Sequence, residues 1–326
     1  MAAAALLSAP SARAQDKVNL AVAAINLAHA PAALAVAAPE IFARHGVALN
    51  VTDLRGASPN CIAALVSKAA DLCQVGTTTG TDAIAEGADL VAVAALAGPF
   101  AEIILSSAAA AKLPVKADAP IAERIKALKG LNLVSSAPGS ANYTMLDSLM
   151  GTVGSSIKDI RFRTLPEVPA MIEAIRHGQI DGAFWVTGSL APNLVDGTGV
   201  RWISLSRGDV ETYQNLPFVT VFARRDWAAQ NADLVKRIHA GYADAIARLK
   251  NEPAQSSKLV KDRYFPDLDQ ALWNDGYEAG RRAFLDGARV SRTAWQDSLA
   301  MQAKSSQKDY SRAAFDKVVL PEAQAK

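Results

Sequence analysis

Side chains that usually carry catalysis are scarce in this chain. Four histidines (His29, His45, His177 and His239) and two cysteines (Cys61 and Cys73) occur among 326 residues. The sequence has no H-E-x-x-H, C-x-x-C or G-x-S-x-G. Metal-assisted hydrolysis and serine-nucleophile chemistry therefore lack their usual parts. Charge of one sign is not in excess either. With 34 Lys and Arg against 32 Asp and Glu, the net charge is +2 and no basic stripe offers itself to nucleic acid. Long apolar runs are also lacking. The one candidate for a membrane span, residues 90–111, carries Glu102 near its middle and is interrupted at Gly98-Pro99. It reads better as two consecutive buried strands.

What is present starts with an Ala/Leu-rich leader, residues 1–15, free of acidic side chains and ending in an A-x-A site at Ala12-Arg13-Ala14. It is expected to be the remnant (1–14) of an export signal, the alternative being a disordered Ala-rich leader. No cysteine directly follows the cleavage site, so no lipid anchor is expected there. In an oxidising compartment Cys61 and Cys73 could pair. Placing one on a helix and the other on a strand leaves the geometry unguaranteed, and two buried free thiols are the expected state.

The stretch around which the chain is organised is Gly130 to Leu149. Leu131, Leu133 and Val134 form a short buried-strand run, Ser135 to Gly139 is turn chemistry, and Tyr143, Leu146, Leu149 and Met150 recur at helical spacing. A helix N-terminus after a small-residue turn favours an anion or a polarised oxygen. No Lys follows in a G-x-x-x-x-G-K pattern, which excludes a nucleotide P-loop. Ser140 as an ordinary helix cap is the competing reading.

The rest alternates in the same manner. Strands are expected at 18–25, 47–54, 71–75 and 90–97, then at 103–105, 157–164, 180–186, 200–205 and 218–223. Helices are expected between them, one opening at His29-Ala30-Pro31 and running to Gly46, another after Ser58-Pro59, another from Pro169 to His177. A long amphipathic helix carries Leu234, Ile238, Tyr242, Ile246 and Leu249, and the chain stays helical beyond it. Single helices between strands imply parallel βαβ units, and the length allows about two domains. Residues 64–77 and 174–187 echo each other: an amphipathic helix ends, Asp71 or Asp181 starts a buried strand, and Thr77 or Thr187 closes it.

Five short motifs follow one another along the chain: Pro31 followed by Ile41-Phe42-Ala43-Arg44-His45-Gly46-Val47, Arg55-Gly56-Ala57-Ser58, Ala69-Ala70-Asp71-Leu72 with Gly76, Leu128-Lys129-Gly130 leading to Gly139-Ser140, and Ile172 followed by Gly178-Gln179-Ile180-Asp181-Gly182-Ala183. On these residues the chain resembles the periplasmic solute-binding proteins of ABC importers, in the nitrate/sulfonate/taurine/thiamine-precursor-like family. The resemblance spans residues 18–250, and its order and spacing are more specific than any one motif. It implies a two-lobed α/β fold of the type II periplasmic binding protein kind, each lobe a mostly parallel sheet flanked by helices, with a helical C-terminal region. The lobes are expected at 15–100 plus 224–326 and at 101–223, with strands near 101–106 and 218–223 crossing between them as hinges. Ala-Pro-Gly-Ser stands where many relatives carry Lys or Arg before Gly-Ser, which weakens the expectation of an anion.

Ligands of open α/β sheets sit beyond the carboxyl ends of the strands. That rule selects His29, Arg55, Gly56, Thr77, Thr78, Ser136, Gly139, Ser140, Ala141, Asn142 and Tyr143 as candidate ligand-binding residues, with Trp185 and Thr187 from the second lobe. Against these roles stand a capping histidine, a solvated arginine and a core-packed tryptophan. His45 and His177, each before a helix-stopping glycine, are better explained by compensation of the helix dipole. The expected function is an exported, monomeric, non-enzymatic receptor without metal or cofactor. It would capture a small solute between its lobes, an anionic organic sulfonate or carboxylate or an aromatic acid, and hand it to a membrane permease. The alternatives are an enzyme resembling thiamine-pyrimidine synthases, whose Cys-rich motif is missing here, and a sensor for a membrane kinase.

Overall fold

The computed structural model describes residues 14–55, 58–138, 140–165 and 167–325; the expected export signal lies almost wholly outside them. Strands β1 (Asp16–Val22), β2 (Val47–Asp53), β3 (Leu72–Gly76) and β4 (Leu90–Ala97) come first, then β5 (Ala101–Ser106), β6 (Leu133–Ser135), β7 (Arg163–Thr164), β8 (Gly182–Val186), β9 (Gly199–Ser204) and β10 (Val219–Arg224). They form two five-stranded sheets, ordered β2-β1-β3-β10-β4 and β7-β6-β8-β5-β9. In each, four strands run one way and the fourth in the order, β10 or β5, runs against them. The two lobes therefore repeat one topology.

The echo in the sequence has a structural basis. The Asp71 carboxylate accepts the Asn19 backbone N–H at 2.8 Å, and the Asp181 carboxylate accepts that of Asn132 at 2.7 Å. Each aspartate thus locks the start of the third strand of its sheet to the neighbouring parallel strand. Because the reversed strand begins at the edge where the others end, the chain passes from β4 to β5 through residues 98–100 and returns through 205–218. The crossings are these connections; β5 and β10 each lie wholly within one sheet.

Helix 232–251 covers one face of the first sheet with Val235, Ile238, Tyr242, Ile246 and Leu249 buried, at helical spacing. Each such aliphatic or aromatic side chain contributes about 1.5–3 kcal/mol. Tyr242 meets Phe42 edge to face at 5.2 Å. Helix 292–306 buries Trp295 against the other face, while Met301 packs on the core of the second lobe. It joins both lobes by bonds as well: Gln302 Oε1 accepts the Thr81 hydroxyl at 2.7 Å, and the Thr144 and Ser305 hydroxyls lie 3.4 Å apart.

Three expectations are corrected. Cys61 and Cys73 are disulfide-bonded, not free, because helix 58–66 lies against β3 and brings their Cα atoms to 5.6 Å. The helix expected from His29 to Gly46 is two, Ala30–Ala37 and Glu40–Ala43. Pro39 has no N–H to continue the ladder and ends the first. Where a strand is expected at 157–164, Ser156 and Asp159 form a capping box around a 3-10 turn, and Arg163–Thr164 is the part that pairs as a strand. His45 does more than face a helix dipole: its Nε2 lies 2.8 Å from the Asp244 carboxylate.

Candidate functional site

Four parallel strands end facing the crossings, and their exits match between lobes: β1 leads to Asn26–His29 and β6 to Ser136–Ser140, β3 leads to Thr77 and β8 to Thr187. At the β1 exit, Asn26 caps a 3-10 turn through its side-chain oxygen, which accepts the Ala28 N–H at 2.9 Å. His29 follows, buried, with Nδ1 3.1 Å from Gln74 Nε2. Burial lowers its pKa from 6.5 to about 4 against the opposing charge of Asp53, so its ring is neutral at pH 7. Thr77 is also buried, its hydroxyl 2.8 Å from that of Thr220. Thr78 is half-buried in the first turn of helix 77–85, and its carbonyl accepts the Thr81 hydroxyl at 3.1 Å.

In the second lobe Ser140 caps helix 141–151 by accepting the Tyr143 N–H at 3.2 Å. Ala141 is half-buried beside it, and Asn142 Nδ2 reaches Ser136 Oγ at 3.4 Å. Tyr143 lies edge-on to Phe162 at 5.2 Å, packed on the core of its own lobe. Trp185 packs against the apolar cluster of its own lobe that includes Ile104, Val134 and Met171, and the next residue, Val186, turns instead toward the first lobe's core. Arg55 is exposed at φ 53°, its backbone N–H held by Asp53. Gly56 and Gly139 lie outside the described residues. The structure thus gathers Ser136, Ser140, Ala141, Asn142 and Tyr143 on one turn; His29 and Thr77 hold separate positions in the other lobe, and no hydrogen bond among the described residues links them to that turn.

Of the expected residues, Thr187 lines a cavity of about 330 Å³ between the lobes. Leu27 and Asn26 come to it from the β1 exit, Val186, Gly188 and Ser189 from the β8 exit, Val168, Ile172 and Pro192 from the helices beside β8, and Phe265, Leu268, Leu272 and Trp273 from the C-terminal region. Sequence reasoning missed all of these but Thr187. The strand-end rule could have found Asn26 and Val186, whereas nothing local marks residues 265–273 as part of a cleft.

Two glycines let this wall close. Gly188 takes φ +85°, and a Cβ there would stand 2.9 Å from the Gly276 Cα on helix 270–280. A charge cluster fixes the same turn. Glu102, fully buried on β5, accepts the Gly188 N–H at 2.9 Å and Arg201 Nε at 2.7 Å. Arg201 also bonds Asp275 on helix 270–280, and Arg207 reaches that carboxylate at 3.3 Å. Burial alone would lower the Arg201 pKa, but the Glu102 charge and the bonds to Asp275 and Glu102 raise it above the ordinary value. Among the described residues no cluster of three metal-ligating side chains occurs, and no helix is long and apolar enough to cross a membrane.

The model of the NMT1-like family matches residues 13–261. Among solved structures, the chain is similar to the alkanesulfonate-binding protein SsuA from Xanthomonas axonopodis pv. citri bound to MOPS, at 18% identity and TM-score 0.69, over 93% of this chain and 98% of that one. It is also similar to the periplasmic aliphatic sulphonate-binding protein SsuA from Escherichia coli, at 18% identity and TM-score 0.65, over 81% and 84%. The periplasmic nitrate-binding protein NrtA from Synechocystis PCC 6803 follows at 15% identity and TM-score 0.63, over 94% and 86%. No curated protein matches the sequence. At these identities the likeness to solved structures establishes the fold.

Proposed function

The chain belongs to the NMT1-like family, and from that premise we propose that it is the solute-binding receptor of an ABC importer, closing two lobes on a small organic molecule. The observation that carries this reading is the inter-lobe cavity, walled by both strand-exit sets of a duplicated fold whose lobes are joined at the same edge. The two crossings at that edge, residues 98–100 and 205–218, let the lobes rotate without rebuilding either core. The lobes are residues 15–97 plus 219–326 and residues 101–204, joined by these crossings; the boundary expected at 223 moves back because β10 pairs with β3 and β4 of the first sheet. The molecule works as an exported monomer that docks to an inner-membrane permease. The A-x-A pattern at Ala12-Arg13-Ala14 supports export to the periplasm. A non-enzymatic role is favoured by a cavity lined with aliphatic and aromatic side chains, without a nucleophile–base pair.

Thermal shift of the exported chain against sulfonates, nitrate, aromatic acids, pyrimidines and amino acids tests the reading. A ligand that raises Tm, remains unchanged after incubation and compacts the particle in small-angle scattering is the expected result. Conversion of the ligand to a product would overturn it in favour of an enzyme on this fold.

A further inference from the structure

We propose that the inter-lobe cavity selects an uncharged, largely apolar small molecule, an aromatic or alicyclic body with one or two hydrogen-bonding groups, over any anion. The proposal rests on the receptor reading and adds the class of ligand to it.

The first support is the lining. Apart from Asn26, Thr187, Ser189 and Gly188 it is aliphatic or aromatic, with no Lys, Arg or His. Its volume of about 330 Å³ lies at the small end of ligand pockets, which run from about 300 to 1,000 Å³.

The second support is the absence of available donors on the turn that lines it. The Thr187 N–H bonds the Phe100 carbonyl at 3.1 Å, the Gly188 N–H bonds Glu102 at 2.9 Å, and the Ser189 N–H bonds the Val186 carbonyl at 3.1 Å. The Thr187 hydroxyl is engaged with Ser206 at 2.9 Å. What remains on this turn is the Ser189 hydroxyl; the Asn26 side-chain nitrogen and the Asn26, Leu27 and Val168 backbone N–H groups, which show no partner among the described residues, are neutral dipoles that can orient a polar group but bring no charge.

The third support is charge. Arg201 and Arg207, the arginines nearest in the network behind Gly188, are already paired with Glu102 and Asp275. Helix 168–176, whose Val168 and Ile172 face the cavity, is preceded at its N-cap by Glu167. That carboxylate offsets the helix dipole where an anion would otherwise benefit from it. A carboxylate or sulfonate in this cavity would lose its hydration and find no opposite charge.

Matched neutral and anionic isosteres test the idea: benzamide against benzoate and cyclohexanol against cyclohexanecarboxylate, with methanesulfonate and nitrate alongside. Binding to the full exported chain is followed by ligand-observed NMR and calorimetry. Each neutral member should bind at least about tenfold tighter than its anionic partner. Ile172→Trp, which fills the cavity, should abolish that binding, and Leu268→Arg, which places a cation at the rim, should narrow or reverse the preference. Anions binding as tightly as their neutral partners would overturn the selection. If Ile172→Trp blocks them, the cavity and the receptor reading stand without it; if Ile172→Trp does not, the receptor reading stands with its site elsewhere. No binding of either series to a chain that is folded by circular dichroism would overturn both.

Discussion

Replacing Arg201 with Met should expose how the second lobe holds the cavity wall. Glu102 is fully buried, and the Arg201 side chain is 18% exposed. Removing one member of a buried ion pair leaves the other uncompensated, at a cost of about 3–5 kcal/mol. The Gly188 N–H remains on the Glu102 carboxylate, and a hydrogen bond to a charged group contributes about 1.5–3 kcal/mol. The loss should therefore fall near the low end, about 3 kcal/mol. Arg201→Met/Glu102→Gln should recover roughly half of it, because Gln still accepts from Gly188 and brings no charge. Asp275→Asn should cost less than about 1 kcal/mol, since Asp275 is 28% exposed and solvent replaces much of the pairing. Urea denaturation of the three variants, with unchanged m-values, is the assay. An Arg201→Met loss below about 1 kcal/mol, or a double variant weaker than the single one, would refute the account of Glu102 as a buried charge held by its partner.

Three further outcomes are expected. Opening the Cys61–Cys73 bridge, which spans a sequence separation of 12, should lower stability by about 2–4 kcal/mol; Cys61→Ser/Cys73→Ser with and without reductant checks this, and reductant should leave the variant unaffected. Gly188→Ala combines an unfavourable backbone at φ +85° with a Cβ 2.9 Å from the Gly276 Cα, so it should destabilise by about 2–4 kcal/mol and weaken ligand binding; Ser189→Ala, without either conflict, is the control in the same melt. His29 has a folded pKa lowered to about 4 from 6.5. The unfolded chain then binds the proton first as pH falls, so stability present above pH 6.5 is lost down to about pH 4, by on the order of 3 kcal/mol; urea titrations across this window should show a flatter profile for His29→Gln.

Much of this molecule is legible one segment at a time. The alternation of strand and helix, the cap at Ser140 and the stop at Gly46 rest on contacts within a few residues, which periodicity and turn chemistry encode. The repeated Asp71 and Asp181 are readable for the same reason, each opening the same kind of strand. The Ser156–Asp159 capping box was equally local and was hidden by the apolar residues around it.

The site divides along the same line. By itself the sequence determined that the strand exits would carry small, polar and turn-forming residues, because those exits are where the backbone must leave the sheet. Only the tertiary structure decided which exits share a cavity. The strand direction turns Val186 toward the opposite lobe and leaves Trp185 in its own, an alternation that depends on register. Residues 265–273 become a wall because the Gly188–Gly276 contact and Asp275 bring helix 270–280 onto the second lobe. Cys61 meets Cys73 for a similar reason, through the docking of one helix on one sheet. These are contacts between elements distant along the chain, fixed by how helices and sheets pack against one another, and no local pattern carries them.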